Sequence, residues 1–194
     1  MTNPIKYVVL NGPPSTGKST IAVELCRDLN QALGGKVIAP KVITDSFSAP
    51  LKHFFAAALA EPYGFADKEK ARPELSGFSM RQSLIMLAED HCKKVYGPDI
   101  FGKWLMHRVL KKPHMRPEFV IIDDGGFPKE IDALPNPFVV WVRRPGKTFD
   151  SDSRGWYDKP SYTLLNDGDM AALWSKLKAL TGHLLGGPSW RNEP

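Results

Sequence analysis

The run Gly12-Pro13-Pro14-Ser15-Thr16-Gly17-Lys18-Ser19 satisfies G-x-x-x-x-G-K-[ST], the spacing of a loop that cradles phosphates. Each fixed position has a physical task. Gly12 and Gly17 permit tight turning and close backbone approach, so that Pro13, Pro14, Ser15 and Thr16 wrap the anion. Lys18 is long enough to reach the outer phosphates of a triphosphate such as ATP. The Ser19 hydroxyl, with Thr20 beside it, is placed to ligate Mg²⁺. A helix beginning here aims the positive end of its dipole at the same charge.

Two further groups suit phosphoryl chemistry. Asp123-Asp124 closes the apolar run Val120-Ile121-Ile122. One carboxylate at such a strand end holds Mg²⁺ directly or through water, and the other is free to cap the following turn. Arg143, Arg144, Lys147 and Arg154 crowd a polar, glycine-containing span. Cations on a closing lid stabilise the charge that develops on a migrating phosphoryl group and exclude water. A basic surface loop is the plainer reading of the same span. Asp123-Asp124-Gly125-Gly126 also fits the D-x-x-G of regulatory GTPases, but no guanine-reading [NT]-K-x-D follows it.

Positioning these residues requires strands that end beside them. Strand signals fall at Ile5–Leu10, Lys36–Thr44, Phe119–Ile122, Phe138–Val142 and Tyr162–Leu165, several of them apolar on both faces, as in a buried parallel sheet. After the phosphate loop, Ile21, Leu25, Leu29 and Leu33 recur on one helix face, and Gly34-Gly35 stops it. The chain therefore reads as α/β, a three-layer P-loop NTPase fold with a five-stranded parallel sheet. Ligands on such sheets bind at the carboxyl ends of the strands. The expected layout is one domain, with its core in 1–44, 118–142 and 161–194, a helical insertion over 45–117 and a short lid over 143–160. Within the insertion, Ser79-Met80-Arg81-Gln82 has the form of a capping box opening a helix through Val95. Gly97-Pro98 ends that helix, Asp99 can cap the next, which runs to about Leu110, and Pro62 to Pro73 is a turn-rich connection.

Bulk properties narrow the field. The chain has 194 residues, 42% hydrophobic and 24% charged, enough for one well-buried core. No apolar run approaches the roughly 18 residues needed to span a membrane, and Tyr7–Leu10 is too short for a signal peptide. Cys26 and Cys92 read as small buried apolar residues, no zinc spacing exists, and a reducing cytoplasm fits. The net charge of +5 comes partly from Lys93-Lys94, Lys111-Lys112 and Arg143-Arg144. With no nucleic-acid-binding motif in view, solvated helix ends explain the lysine pairs, and neither nucleic acid nor membrane is an expected partner. A nucleic-acid-dependent ATPase would need a basic stripe that is not evident.

Several later segments resemble the deoxynucleoside monophosphate kinases of bacteriophages, a branch of the adenylate-kinase-like P-loop kinases. Ser46-Phe47-Ser48-Ala49-Pro50-Leu51-Lys52 is similar to that family's Phe-Ala-x-Pro-Leu-Lys segment, and Met80-Arg81-Gln82-Ser83-Leu84 to its Arg-x-x-Leu helix. Ile121 to Glu130 resembles its Ile-Ser-Asp-Val-Arg-Phe-Pro-Asn-Glu run, and Leu165-Asn166-Asp167-Gly168-Asp169 its Asn-Asp-Gly turn near the nucleotide base. The resemblance implies ATP and Mg²⁺ as cofactors, and a deoxynucleoside monophosphate as the small-molecule substrate. It further implies a cytoplasmic protein (host cytoplasm for a phage source) and is compatible with a homodimer. It assigns Asp124, with Ser19, to the metal and to the substrate side; Arg81 to the acceptor phosphate, with Phe47, Lys52 and Gln82 beside it; and Asn166 and Gly168 to the nucleotide. Catalysis then falls to Lys18 of the phosphate loop and to some of the lid cations Arg143, Arg144 and Arg154. One departure stands out: Gly126 occupies the place of that family's arginine, so another cation must serve or the substrate differs. The same core also resembles animal phosphomevalonate kinase, the alternative acceptor class.

Overall fold

The computed structural model describes residues 4–36, 39–63, 67–111, 117–150 and 152–186. Five strands, β1 (Lys6–Asn11), β2 (Val42–Asp45), β3 (Phe119–Gly125), β4 (Phe138–Arg143) and β5 (Tyr162–Leu165), form one parallel sheet in the order β2-β3-β1-β4-β5. The helices are α1 (Lys18–Ala32), α2 (Ala49–Ala58), α3 (Met80–Ile85), α4 (Lys93–Tyr96), α5 (Ile100–Leu110), α6 (Pro128–Asp132) and α7 (Met170–Gly186).

Strand alternation assigns side chains to two cores. Val8, Leu10, Phe119, Ile121, Val140 and Val142 pack against Ile21, Leu25 and Leu29 of α1 and Leu173, Leu177 and Leu180 of α7. Tyr7, Val9, Val120, Ile122 and Val139 face the opposite way, onto Phe47, Leu51, Phe101, Leu105 and Ile131. Because both faces are covered, the strands are apolar throughout, and the three-layer α/β expectation holds.

The central strand also organises the loops at the sheet's carboxyl edge. Asn11, fully buried, donates its amide to the carbonyls of Gly125 (3.2 Å) and Gly155 (3.0 Å) and accepts from the Tyr157 N–H (3.0 Å). One side chain thus joins the end of β1, the end of β3 and the segment between β4 and β5. A buried amide with its capacity used fixes that geometry.

Two expected elements differ. The second strand begins at Val42 rather than Lys36: Lys36 pairs back on Ala39 in an isolated antiparallel bridge, and Pro40 has no N–H to give a ladder. The helix expected from Ser79 to Val95 is not uniform. Its capping box forms, with Ser79 Oγ accepting from Gln82 N (3.2 Å) and Gln82 Oε1 accepting from Ser79 N (2.8 Å). Beyond Ile85 it widens into a π-helical stretch, Met86–Cys92, before tightening into α4. Asp99 stands at the start of α5 without a side-chain cap; it pairs instead with Lys103 at 2.8 Å.

Candidate active site

The phosphate loop is shaped by close contacts that only glycine tolerates. A Cβ on Gly12 would lie 2.4 Å from the Val142 carbonyl oxygen. Gly17 has φ of +94° and sits against the Asn166 amide, 2.8 Å from where its Cβ would be. Thr16 Oγ1 donates to the Pro13 carbonyl at 3.0 Å, and the Asn166 amide donates to the Thr16 carbonyl at 2.9 Å. Lys18 Nζ donates to the carbonyls of Gly12 and Pro13, both at 2.6 Å. Burial, assisted by the nearby Arg154 charge, lowers the Lys18 pKa to about 8.

Across from the loop, the paired aspartates take different work. Ser19 Oγ donates to Asp123 Oδ2 at 2.8 Å. Asp124 accepts from Phe47 N (2.8 Å), Ser48 N (3.0 Å) and Ser48 Oγ (2.6 Å), so its carboxylate fixes the start of α2. Burial and then the Asp124 charge push the Asp123 carboxyl above its usual range. A hydroxyl and a carboxylate in contact at the Lys18 end of the loop are hard oxygen donors suited to Mg²⁺.

Loop and carboxylates line one end of a cavity of about 360 Å³. Its walls carry further cations, Lys52, Lys68, Arg81 and Arg154, and the rings of Phe47, Phe101 and Phe127. Arg154 is held by a fork onto Asp152: its Nε donates to Oδ1 at 2.8 Å and its Nη2 to Oδ2. That contact draws the Asp152 carboxyl below its usual range and raises the guanidinium further. Asp152 Oδ2 also lies 3.9 Å from Arg81 Nη1, and Arg81 Nε meets Glu69 at 2.5 Å. Burial and the neighbouring Lys52 lower the Lys68 pKa. Glu89 and Glu130 complete the wall, both paired to Lys93, at 2.8 and 2.9 Å.

No family model matches the chain, and no curated protein does. Among solved structures, the Mycobacterium tuberculosis APS kinase CysC, in complex with AMPPNP and APS, is similar at a TM-score of 0.50 and 17% identity. The match covers 95% of this chain and 100% of that one. The protein APE1195 matches at 0.49 and 13% identity, over 96% of this chain and 98% of that one. The fold is that of the P-loop NTPases.

Within that fold, the residues singled out in the sequence separate into three groups. Pro14, Ser15, Lys18, Ser19, Phe47, Lys52, Arg81, Asp124 and Arg154 line the cavity. A second group forms or flanks the P-loop without lining the cavity: Gly12, Pro13, Thr16 and Gly17 shape the loop with Asn166 against it, Thr20 lies exposed in the first turn of α1, and Gly168 packs against Ala172 ahead of α7. A third group, Gln82, Arg143 and Arg144, lies outside the cavity. Gln82 spends its carbonyl oxygen on the helix cap and does not line the cavity. Arg143 stacks on Trp141 and Trp156, 4.8 and 5.2 Å from the ring centres, and Arg144 donates to the Ser15 carbonyl at 3.3 Å; both are exposed and outside the cavity. Asp124 yields the place beside Ser19 to Asp123, because adjacent strand residues face opposite sides of the sheet. Lys68, Glu89 and Asp152 line the cavity without any sequence motif to mark them, and Glu130, the last residue of the Ile121–Glu130 run, lines it with no role assigned from the sequence.

Proposed function

We propose that the protein is a kinase that moves the γ-phosphoryl group of ATP to a small phosphorylated acceptor, foremost a (deoxy)nucleoside monophosphate. One observation carries this reading. The P-loop opens into the same cavity as a second set of cations, Lys52, Lys68, Arg81 and Arg154, so one enclosure offers places for two anions. A protein that only binds or hydrolyses a nucleotide has no use for the second.

The chain's own groups divide the work. The P-loop backbone and Lys18 hold the donor's outer phosphates. Ser19 and Asp123 would hold Mg²⁺, which when bound neutralises charge on the phosphate oxygens. Lys52, Lys68 and Arg81 attract the acceptor's phosphate, and Phe47, Phe101 and Phe127 supply apolar walls for a flat ring. Arg154 lies in the same enclosure as Lys18, where a cation stabilises the charge developing on the group in transfer. An acceptor phosphate oxygen is itself the nucleophile, so positioning and charge account for catalysis.

Gly126, the departure noted in the sequence, fits this scheme. A Cβ there would stand 2.6, 2.8 and 2.9 Å from Cδ, Cγ and Cβ of Arg154. The bare glycine makes room for the stem of a cation delivered from the segment after β4.

The reading is tested by ADP release with MgATP against deoxynucleoside and nucleoside monophosphates, phosphomevalonate and APS. Turnover is expected with one or more nucleoside monophosphates. Turnover confined to phosphomevalonate or APS would keep the kinase and replace the acceptor. ADP release that no acceptor accelerates would overturn the reading.

A further inference from the structure

The cavity carries both signs of charge: Lys18, Lys52, Lys68, Arg81 and Arg154 line it with Asp123, Asp124 and Asp152, and along α6 and the π-helical stretch Glu130 and Glu89 lie beside phenyl rings. Glu130 is only 3% exposed, which is costly for a charged side chain unless it is paired. Its partner Lys93 is shared: the ammonium meets Glu130 at 2.9 Å and Glu89 at 2.8 Å, and sits 3.2 Å from the Phe127 ring centre. One cation for two carboxyl groups leaves this wall with an excess of acceptor oxygens once both are ionised.

Local structure directs both carboxylates here. On the helix that starts at Met80, Arg81, Leu84 and Ile85 line the cavity. In the π-helical stretch Met86–Cys92 that continues it, Ala88 and Glu89 line the same cavity. Glu130 is fixed from behind, because Gly102 of α5 packs directly on its backbone; a Cβ there would fall 2.4 Å from the Glu130 carbonyl oxygen. Tying α4 to α6 needs only Lys93 and Glu130. Glu89 adds nothing to that tie, yet it lines the cavity.

We propose that Glu89 and Glu130 recognise an exocyclic amino group on the acceptor's ring, so that the preferred acceptor is a monophosphate whose base carries such an amine. An amine in the ring plane offers N–H donors to the carboxylates while the ring lies against Phe101 and Phe127. An oxo group at the same position points lone pairs at carboxylate oxygens, and the one donor that remains on that edge is the adjacent ring N–H, away from that position. Sites built to hydrogen-bond one group discriminate strongly against an analogue that lacks it. The inference rests on the nucleoside monophosphate reading above.

Pairs of acceptors that differ only at this group test it: dCMP against dUMP, and dAMP against dIMP, each with MgATP. In at least one pair the amino member should lead by about tenfold or more in kcat/KM. Glu89→Gln and Glu130→Gln should each bring that ratio down by about tenfold, since an amide accepts an oxo partner as readily as an amino one. A merely structural role would lower both members together and leave the ratio in place. Equal turnover of amino and oxo members by the unaltered protein, or a ratio untouched by Glu89→Gln, overturns the inference and leaves the kinase reading standing. No turnover with any of the four, while dTMP is phosphorylated, overturns it too; dGMP, whose ring carries a 2-amino group, is compared with dIMP as a third pair. Failure with every nucleoside monophosphate removes the acceptor class and this inference with it.

Discussion

The two aspartates at the end of β3 differ by one position and by everything they touch. Asp123 meets Ser19, whereas Asp124 takes three hydrogen bonds from the first residues before α2. Their roles should separate under substitution. Asp123→Asn is expected to depress turnover by about a hundredfold or more, with a raised Mg²⁺ requirement and little change in melting temperature. Asp124→Asn should weaken the charge-assisted bonds that seat α2, costing about 1–3 kcal/mol and lowering Tm by several degrees. Thermal melts and Mg²⁺ titrations of the two variants check this, and a reversal of the two phenotypes would return the metal to Asp124. The distinction was legible in the sequence. Phe119 and Ile121 share a face with Asp123, and that face packs on α1, where Ser19 stands. Strand alternation therefore points to Asp123, whereas register against a family motif points to its neighbour. For Asp152 no such signal exists, since nothing local distinguishes it from a surface acid; Glu130 is marked only as the last residue of the Ile121–Glu130 run.

At the level of elements, what the sequence disclosed were features with local causes: glycines at a tight turn, β-branched runs, a capping box. Lys18 to Ala32 reads as one amphipathic helix because its apolar residues repeat at helical spacing. The π-helical stretch Met86–Cys92 has no such local cause, and its residues fit either helix type. The segment between β4 and β5 is a similar case. Its cations were visible, but which of them faces the cavity depends on Trp141 and Trp156, whose rings hold Arg143 outward, and on Asp152, which holds Arg154 inward. The contact of Gly126 with the Arg154 stem links this segment to β3, reinforced by the Gly155 N–H on the Gly126 carbonyl at 2.9 Å. Gly126→Ala should therefore act as a substitution of Arg154. Both Gly126→Ala and Arg154→Ala are expected to lower kcat/KM by about 10²-fold, and the double variant should be little worse than either. Additive losses in that cycle would show that the glycine serves something other than the arginine.

Over the whole molecule, the two cores leave a polar cavity beside the carboxyl edge of the sheet, and that cavity imposes a pH dependence on stability. Burial is the main cause that raises the Glu130 pKa from 4.5 to about 7, and the Lys93 ammonium only partly offsets it. A carboxyl whose value rises on folding binds its proton more tightly in the folded state. Its favourable contribution is complete below about 4.5 and is lost as the pH climbs through about 7. Asp123, raised by burial and by Asp124, acts in the same direction. Asp152, lowered by its bond to Arg154, acts in the opposite one: its contribution is present above the ordinary aspartate value and is lost on acidification. These opposed terms can hide one another in a melting curve of the unaltered protein, so the difference between two proteins is the cleaner quantity. Glu130→Gln keeps the side chain's size and leaves Lys93 its second partner, Glu89. The Tm of Glu130→Gln minus that of the unaltered protein should rise between about pH 4.5 and 7 and level off above it. A difference that stays flat across that window would mean that Glu130 ionises at its ordinary value. The Lys93 ammonium would then offset the full cost of burying the carboxylate.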